Sequence, residues 1–354
     1  MLIGDLEFFS GKKVFITGHN GFKGTWLTQV MTRSGAEVAG YSLPNLDVNG
    51  HFDGLSLKEV ITHYEGDIRD TDNLKEAINE FQPEIVFHLA AQALVKLSYE
   101  DPISTFSTNV MGSLNLLRAV DKCPSVRSLI YVTSDKCYEN VEWEWGYRET
   151  DALGGKDPYS ASKAAAELVF SSYSRSYFGD KVNFGAASVR AGNVIGGGDY
   201  SADRIVPDCI RAIRENRPIE LRNPYSTRPW QHVLEPLSGY IKLAKKLYED
   251  PVKFSRPWNF GPSVKEVLNV GDVANKIVEV YGKGSVAVGS VSSEFHEANL
   301  LQLNCDLAHQ LMDWHPRWNV DKTLFTTADW YRLVDNGVPM ENVTNSHIDD
   351  YFGV

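Results

Sequence analysis

The first half of the chain alternates short apolar runs with amphipathic stretches. The runs KKVFIT (12–17), AEVAGY (36–41), HYEGD (63–67), EIVFHLA (84–90), RSLIYVTS (127–134) and VNFGAASVR (182–190) predict strands. Helices are predicted between them over about 22–34, 71–80, 101–122 and 158–178. Within 101–122, Ile103, Phe106, Val110, Leu114, Leu117 and Val120 recur three or four residues apart, which is a helical stripe. The strands are near-continuous apolar runs, as in a parallel sheet covered on both faces. Alternating β and α of this kind predicts an α/β fold with a doubly wound parallel sheet. After residue 190 the rhythm changes, and Pro, Trp and Arg recur in RNPYSTRPW and SRPWNFGP. Helices are expected near 204–215, 234–248, 269–281 and 321–335. The expected division is a first domain over 1–190 and a smaller, mixed second domain over 191–354, with segments returning to the first.

Charge narrows the partners. The formal net charge of −11 over 354 residues argues against nucleic acid and anionic membrane. No apolar run approaches the roughly 18 residues of a membrane span. The start, MLIGDLEFFSGKK, carries acids and lacks a basic segment before a long apolar core, so it reads poorly as a secretory signal. Cys123, Cys137, Cys209 and Cys305 form no C-x-x-C pair, which fits a reducing compartment. A cytoplasmic protein is expected. EFHEAN, with Glu294, His296 and Glu297, has the look of a metal cluster, but no other ligand group supports it and no metal is expected.

FITGHNGFKG places Gly18, Gly21 and Gly24 where the first strand ends and a helix opens, with Asn20 and Phe22 between them. Glycine lets backbone approach a pyrophosphate closely, and a helix N-terminus offers it free N–H groups. Dinucleotide binding is the expectation. The acid that usually ends the second strand and holds the adenosine ribose is missing; Tyr41 and Ser42 stand there, and no arginine offers itself to a 2′-phosphate. NAD is therefore favoured over NADP. Asp67 and Ile68 follow the third strand and are candidates to flank the adenine.

YSASK sets Tyr159 and Lys163 four apart, on one helix face. A nearby ammonium stabilises a phenolate and lowers the phenol's pKa. Such a phenol can exchange a proton with a substrate hydroxyl while hydride moves to a nicotinamide. At the end of the fifth strand Ser134, Asp135 and Lys136 put a hydroxyl, an acid and an amine in a row. The carboxyl ends of strands border the ligand crevice in a doubly wound sheet.

TGHNGFKG, GDIRD, FHLAAQ, TNVMGSLNLL, YVTSDKCY, PYSASKAAAE and RAGNVIG together resemble the extended short-chain dehydrogenase/reductase superfamily. Within it the chain resembles the nucleotide-sugar 4,6-dehydratases, and GHNGFKGTWL, SDKCYEN and GGGDYSADRIVPD resemble the branch acting on CDP-glucose. The resemblance implies bound NAD and a CDP-glucose substrate. It implies that Tyr159 takes the 4-OH proton, that Ser134 hydrogen-bonds the C4 oxygen, that Asp135 is the acid for the 6-OH and that Lys136 is the C5 base. Asp135 raised and Lys136 lowered by burial would suit those roles, and an ion pair between them would oppose it.

Leu89, Ala90 and Ala91 of FHLAA are expected to line the cofactor, and Gln92 to reach ligand. His88 is read equally well as plain core. Asn109 sits mid-helix, where Asn is disfavoured, and is given a polar role under the sheet end. Arg190 and Asn193 follow a strand end. The resemblance gives Asn193 and Arg228 to the substrate diphosphate, with Arg204 in support. A nucleotide-sugar 4-epimerase shares this fold and the Tyr159/Lys163 pair but has no work for Asp135 and Lys136; a non-enzymatic NAD-binding regulator needs neither. Apolar Met111, Leu116, Leu168 and Phe170 on the 101–122 and 158–178 helices predict a homodimer or homotetramer.

Overall fold

The computed structural model describes residues 2–44, 50–221, 223–263, 267–288 and 300–353. Six strands form where the apolar runs predict them: β1 (Lys13–Thr17), β2 (Glu37–Ser42), β3 (Thr62–Glu65), β4 (Ile85–His88), β5 (Ser128–Val132) and β6 (Gly185–Arg190). They lie in the order β6-β5-β4-β1-β2-β3, all parallel, with the short strand Trp258–Asn259 added beyond β6. β4 and β6 are buried at every residue, and β1 and β5 at all but one. The fold is the doubly wound α/β architecture. Strand order reverses between β1 and β4, which opens a crevice above their carboxyl ends.

The 101–122 stripe is broken in two. Pro102–Phe106 and Ser113–Asp121 are α-helical, but Ser107–Gly112 between them is a π-helix. A π turn takes more residues than an α turn and shifts the phase of what precedes it. Leu117 and Val120 are fully buried, whereas Ile103 is 82% exposed.

The chain after Arg190 contributes to the main sheet and to its cover. The Leu234–Glu249 helix packs on β5, where Ser128 Oγ donates to Ala244 O at 2.9 Å. A C-terminal helix, Met340–Phe352, lies beyond the last helix read from the pattern. It docks on the Phe22–Arg33 helix through Gln29 Nε2 to Asn345 Oδ1 (2.7 Å) and Arg33 to Asp349 (2.6 Å). The loop after β6 is pinned between these layers: Trp26 Nε1 donates to Gly197 O (2.9 Å), and Tyr331 donates its hydroxyl to Asp199 O (2.6 Å). Asp199 in turn holds Arg204 at 3.0 Å. Residues Glu294, His296 and Glu297 lie outside the described residues. Among the described residues no helix is long and apolar enough to cross a membrane.

The packing buries five histidines in neutral form. Burial holds His19, His51 and His88 down to about 3 and His347 to about 4, and pushes His232 well below its ordinary value. Unfolding restores each to about 6.5. The unfolded chain then binds more protons below that pH, so this stability is present above about 6.5 and is lost as pH falls toward 4. Each histidine adds up to about 1.4 kcal/mol per pH unit. Denaturant titrations should show unfolding free energy dropping steeply from pH 6.5 to 5. A flat profile over that range contradicts the burial.

Candidate active site

At the end of β1 the chain turns at Gly18, which has φ +71° and donates its N–H to Tyr41 O (2.8 Å). A Cβ on Gly24 would lie 2.0 Å from Gly18 O, so only glycine allows the helix to start this close to the strand. The N-terminus of the Phe22–Arg33 helix thus faces the crevice, with half-buried Asn20 and Phe22 beside it. Leu89 N donates to Thr17 O and Ala90 N to Thr17 Oγ1, which sets Leu89, Ala90 and Ala91 alongside the loop. Ser42, at the end of β2, is buried and its hydroxyl has no partner among the described residues. Free helix N–H groups and an orphaned hydroxyl fit the diphosphate and ribose of a dinucleotide.

After β5 the chain leaves the sheet in a 3₁₀ turn, Asp135–Cys137. Adjacent side chains there no longer alternate between sheet faces, which lets the Ser134 hydroxyl and the Asp135 carboxylate meet while the Lys136 side chain stays exposed. Ser134 Oγ accepts from Lys136 N (3.2 Å) and donates to Asp135 Oδ1 (2.9 Å). Asp135 is 5% exposed. Lys136 is exposed and makes no ion pair with Asp135, so the expected burial holds for the acid and not for the amine. The feared ion pair is absent.

The Pro158–Tyr173 helix brings Tyr159 and Lys163 against this turn, both buried. Spacing alone predicts a phenol lowered by Lys163, and this is corrected here. Burial dominates and pushes the Tyr159 phenol up to about 12, against a lowering by its hydrogen bond with Ser134. Burial also holds Lys163 down to about 8. The Ser134 hydroxyl therefore has one proton and two acceptors, Asp135 and the Tyr159 oxygen. Lys23, which the sequence reading passed over, is half-buried at the same crevice. Burial and then Arg204 hold it down to about 8, and Asp135 opposes this.

Several other expected site residues carry hydrogen bonds of their own within the protein. Asn109 Nδ2 donates to Gln92 O and Ser162 Oγ (both 2.9 Å), and its Oδ1 accepts from Gln92 N (2.8 Å). The Gln92 amide is spent on Leu94 and Thr105. These two shape the loop after β4, and their side-chain amide hydrogens are committed within the protein. Arg190 is 2% exposed: Glu167 takes its Nε and Nη2 (2.9 and 2.8 Å), and Tyr138 and Glu149 O take its Nη1. It ties β6 to the Pro158–Tyr173 helix as a buried pair, and removing either partner costs about 3–5 kcal/mol. The Asp67 carboxylate is engaged by Arg69, whose hydrogen bond lowers it, and Ile68 is buried. His88 is a satisfied core histidine, bonded to Thr17 (2.7 Å) and Ser113 (2.9 Å). Asn193 sits at φ +49°, a conformation Asn tolerates, and Arg228 lies on the Thr227–Pro229 strand, whose Pro229 reaches a recess beside Asp135.

The chain matches the family described as GDP-mannose 4,6 dehydratase over residues 15–327. It is 47% identical over 351 residues to the CDP-glucose 4,6-dehydratase of Salmonella typhimurium, covering 98% of each chain. Its fold is similar to that of dTDP-glucose 4,6-dehydratase from Bacillus anthracis, solved in complex with NAD (TM-score 0.77, 20% identity, 92% of this chain and 98% of that one). It is also similar to a UDP-glucose 4-epimerase from Thermus thermophilus in complex with NAD (TM-score 0.74, 26% identity, 90% of this chain and 99% of that one). With a glycine-loop crevice, a buried Tyr159/Lys163 pair and a match over nearly the whole chain, this protein belongs to the GDP-mannose 4,6-dehydratase family of extended short-chain dehydrogenases/reductases.

Proposed function

We propose that this protein converts CDP-glucose to CDP-4-keto-6-deoxyglucose. The observation that carries the reading is the Ser134–Asp135–Lys136 turn set against Tyr159, an acid and an amine that an epimerase has no work for. Near-full-length similarity to the Salmonella typhimurium CDP-glucose enzyme supports CDP as the nucleotide.

Bound NAD supplies the hydride acceptor for C4 and the hydride donor for C6. Tyr159 takes the proton of the 4-OH in its phenolate form, with Ser134 hydrogen-bonded to the same oxygen. The 4-ketone acidifies C5–H, and Lys136, which follows Asp135 in the turn, removes that proton. Asp135 gives a proton to O6 as the C6–O bond breaks. Gly18, Asn20, Gly21, Phe22, Gly24, Ser42, Ala90 and Ala91 cradle the cofactor, and Asn193, Arg204 and Arg228 hold the substrate diphosphate, guanidinium being suited to phosphate. Four buried free cysteines fit action in the cytoplasm.

The test is incubation with NAD and, separately, CDP-, UDP-, GDP- and dTDP-glucose. CDP-glucose should be turned over fastest to a 4-keto-6-deoxy sugar, with no build-up of free NADH. No such product from any of the four overturns the reading.

The active unit is a homo-oligomer joined through adjoining helices. Met111 and Leu168 are 53% and 60% exposed, with Ile103, Leu97 and Tyr177 exposed nearby in the chain. Leu116 and Phe170, expected to share that role, are buried against the protein's own sheet. Sedimentation at micromolar concentration should give at least a dimer, and Met111→Glu with Leu168→Glu should yield a monomer. A monomeric mass for the unaltered protein contradicts this.

A further inference from the structure

Beside Asp135 lies a recess lined also by Gly192, Pro229, Gln231, Leu301 and Leu303, with about 10 Å³ of space for the centre of a water molecule. That is room for roughly one water. Gln231 is 1% exposed. Its Nε2 donates to Gly192 O and Phe260 O, both at 3.1 Å, so the amide orientation is fixed by two carbonyls. Its Oε1 is left buried with no donor among the described residues. A buried acceptor without a partner is costly, and here its residue lines a water-sized space shared with Asp135. Gly192 completes the arrangement: a Cβ there would fall 1.7 Å from Asp135 Oδ2. Asp135 Oδ1 accepts from Ser134, and Oδ2 lies on the Gly192 side.

We propose that this recess is the exit site for the water formed from O6, with Asp135 and Gln231 Oε1 as its two acceptors; the inference rests on the dehydration reading above. In that step the C5–H bond breaks, its proton going to Lys136 and its electron pair forming the C5–C6 double bond. The C6–O6 bond breaks with its pair on oxygen, and Asp135 transfers its proton to O6. The product is a neutral water with two hydrogens. One can be accepted by the newly formed Asp135 carboxylate and the other by Gln231 Oε1. Leu301, Leu303, Pro229 and Pro262 make most of the remaining lining apolar, and Gln302 adds one further polar side chain there. Gln231 is thus a leaving-group residue, with no work in hydride transfer.

The test compares CDP-glucose with its 6-deoxy-6-fluoro analogue in the Gln231→Leu variant. Fluoride leaves as an anion and does not need two acceptors for its hydrogens. Turnover of CDP-glucose should fall about tenfold or more, while the fluoro sugar stays within roughly twofold. An equal fall for both sugars means that Gln231 only props the loops, and no fall for either means that it is idle; each overturns the proposal. If the unaltered enzyme makes no 4-keto-6-deoxy sugar from either compound, it is the dehydration reading that fails. Should the variant not fold, a high-resolution crystal structure of the unaltered protein decides. A water within hydrogen-bonding distance of both Gln231 Oε1 and Asp135 is expected, and a dry recess overturns the proposal.

Discussion

Tyr159→Phe is expected to lower turnover roughly 10²- to 10⁴-fold, the usual contribution of a positioned proton-transfer group. The ring would stay in place, since Tyr159 is 8% exposed and the helix is fixed independently by its Asp157 cap (2.9 Å to Ser160 N) and by Ser98 Oγ at Tyr159 N (3.1 Å). Only the phenol oxygen and its bond with Ser134 are lost. A single neutral hydrogen bond contributes about 1 kcal/mol, so the melting temperature should move by only a few degrees. Burial that holds the phenol up to about 12 also means that the first proton transfer depends on groups around it. Ser134 is the immediate one, because its hydroxyl can turn from Asp135 to stabilise the phenolate, the form that takes the 4-OH proton. Steady-state rates with a thermal melt on the same preparation check this. A near-normal rate in a folded variant removes Tyr159 from the chemistry.

Lys136→Met is expected to reduce product formation by a similar factor while sparing the oxidation at C4. Lys136 is exposed and its side chain makes no hydrogen bond among the described residues, so the fold does not depend on it. Tyr159, Lys163, Ser134 and the glycine loop remain. On adding CDP-glucose the variant should develop the near-ultraviolet absorbance of reduced nicotinamide and stop there. Carried out in heavy water, the recovered sugar should carry no deuterium at C5. Normal 6-deoxy product with C5 deuterium would transfer the base role away from Lys136, leaving Asp135 to serve alone.

What the sequence made legible was local. Gly18, Gly21 and Gly24, the Tyr159/Lys163 spacing and the Ser134–Lys136 row are each set within a few residues, and fixed periodicities carry them onto a turn, a helix face and a strand end. The six main strands were readable because both faces of a parallel sheet need apolar residues. What escaped depended on partners distant in the chain. Glu167 claims Arg190 from 23 residues away, and Gln92 and Asn109 satisfy each other across 17; polar residues of that kind look identical to ligand contacts until their partners are known. Lys23 reads as a helix-surface cation from its neighbours, and only the packing of the crevice turns it toward Asp135 and Arg204. The π turn at Ser107–Gly112 carries no residue signature that separates it from α-helix, so the apolar stripe across it reads as one continuous helix.

CDP-glucose carrying deuterium at C4 tests the central claim most directly. If oxidation at C4, elimination and reduction at C6 take place on one bound molecule, the 4-keto-6-deoxy product will carry that deuterium in its C6 methyl group and one solvent-derived hydrogen at C5. Mass and proton resonance spectra of the product locate both. Deuterium returned to C4 in an epimerised sugar, or lost from the sugar altogether, would contradict the account.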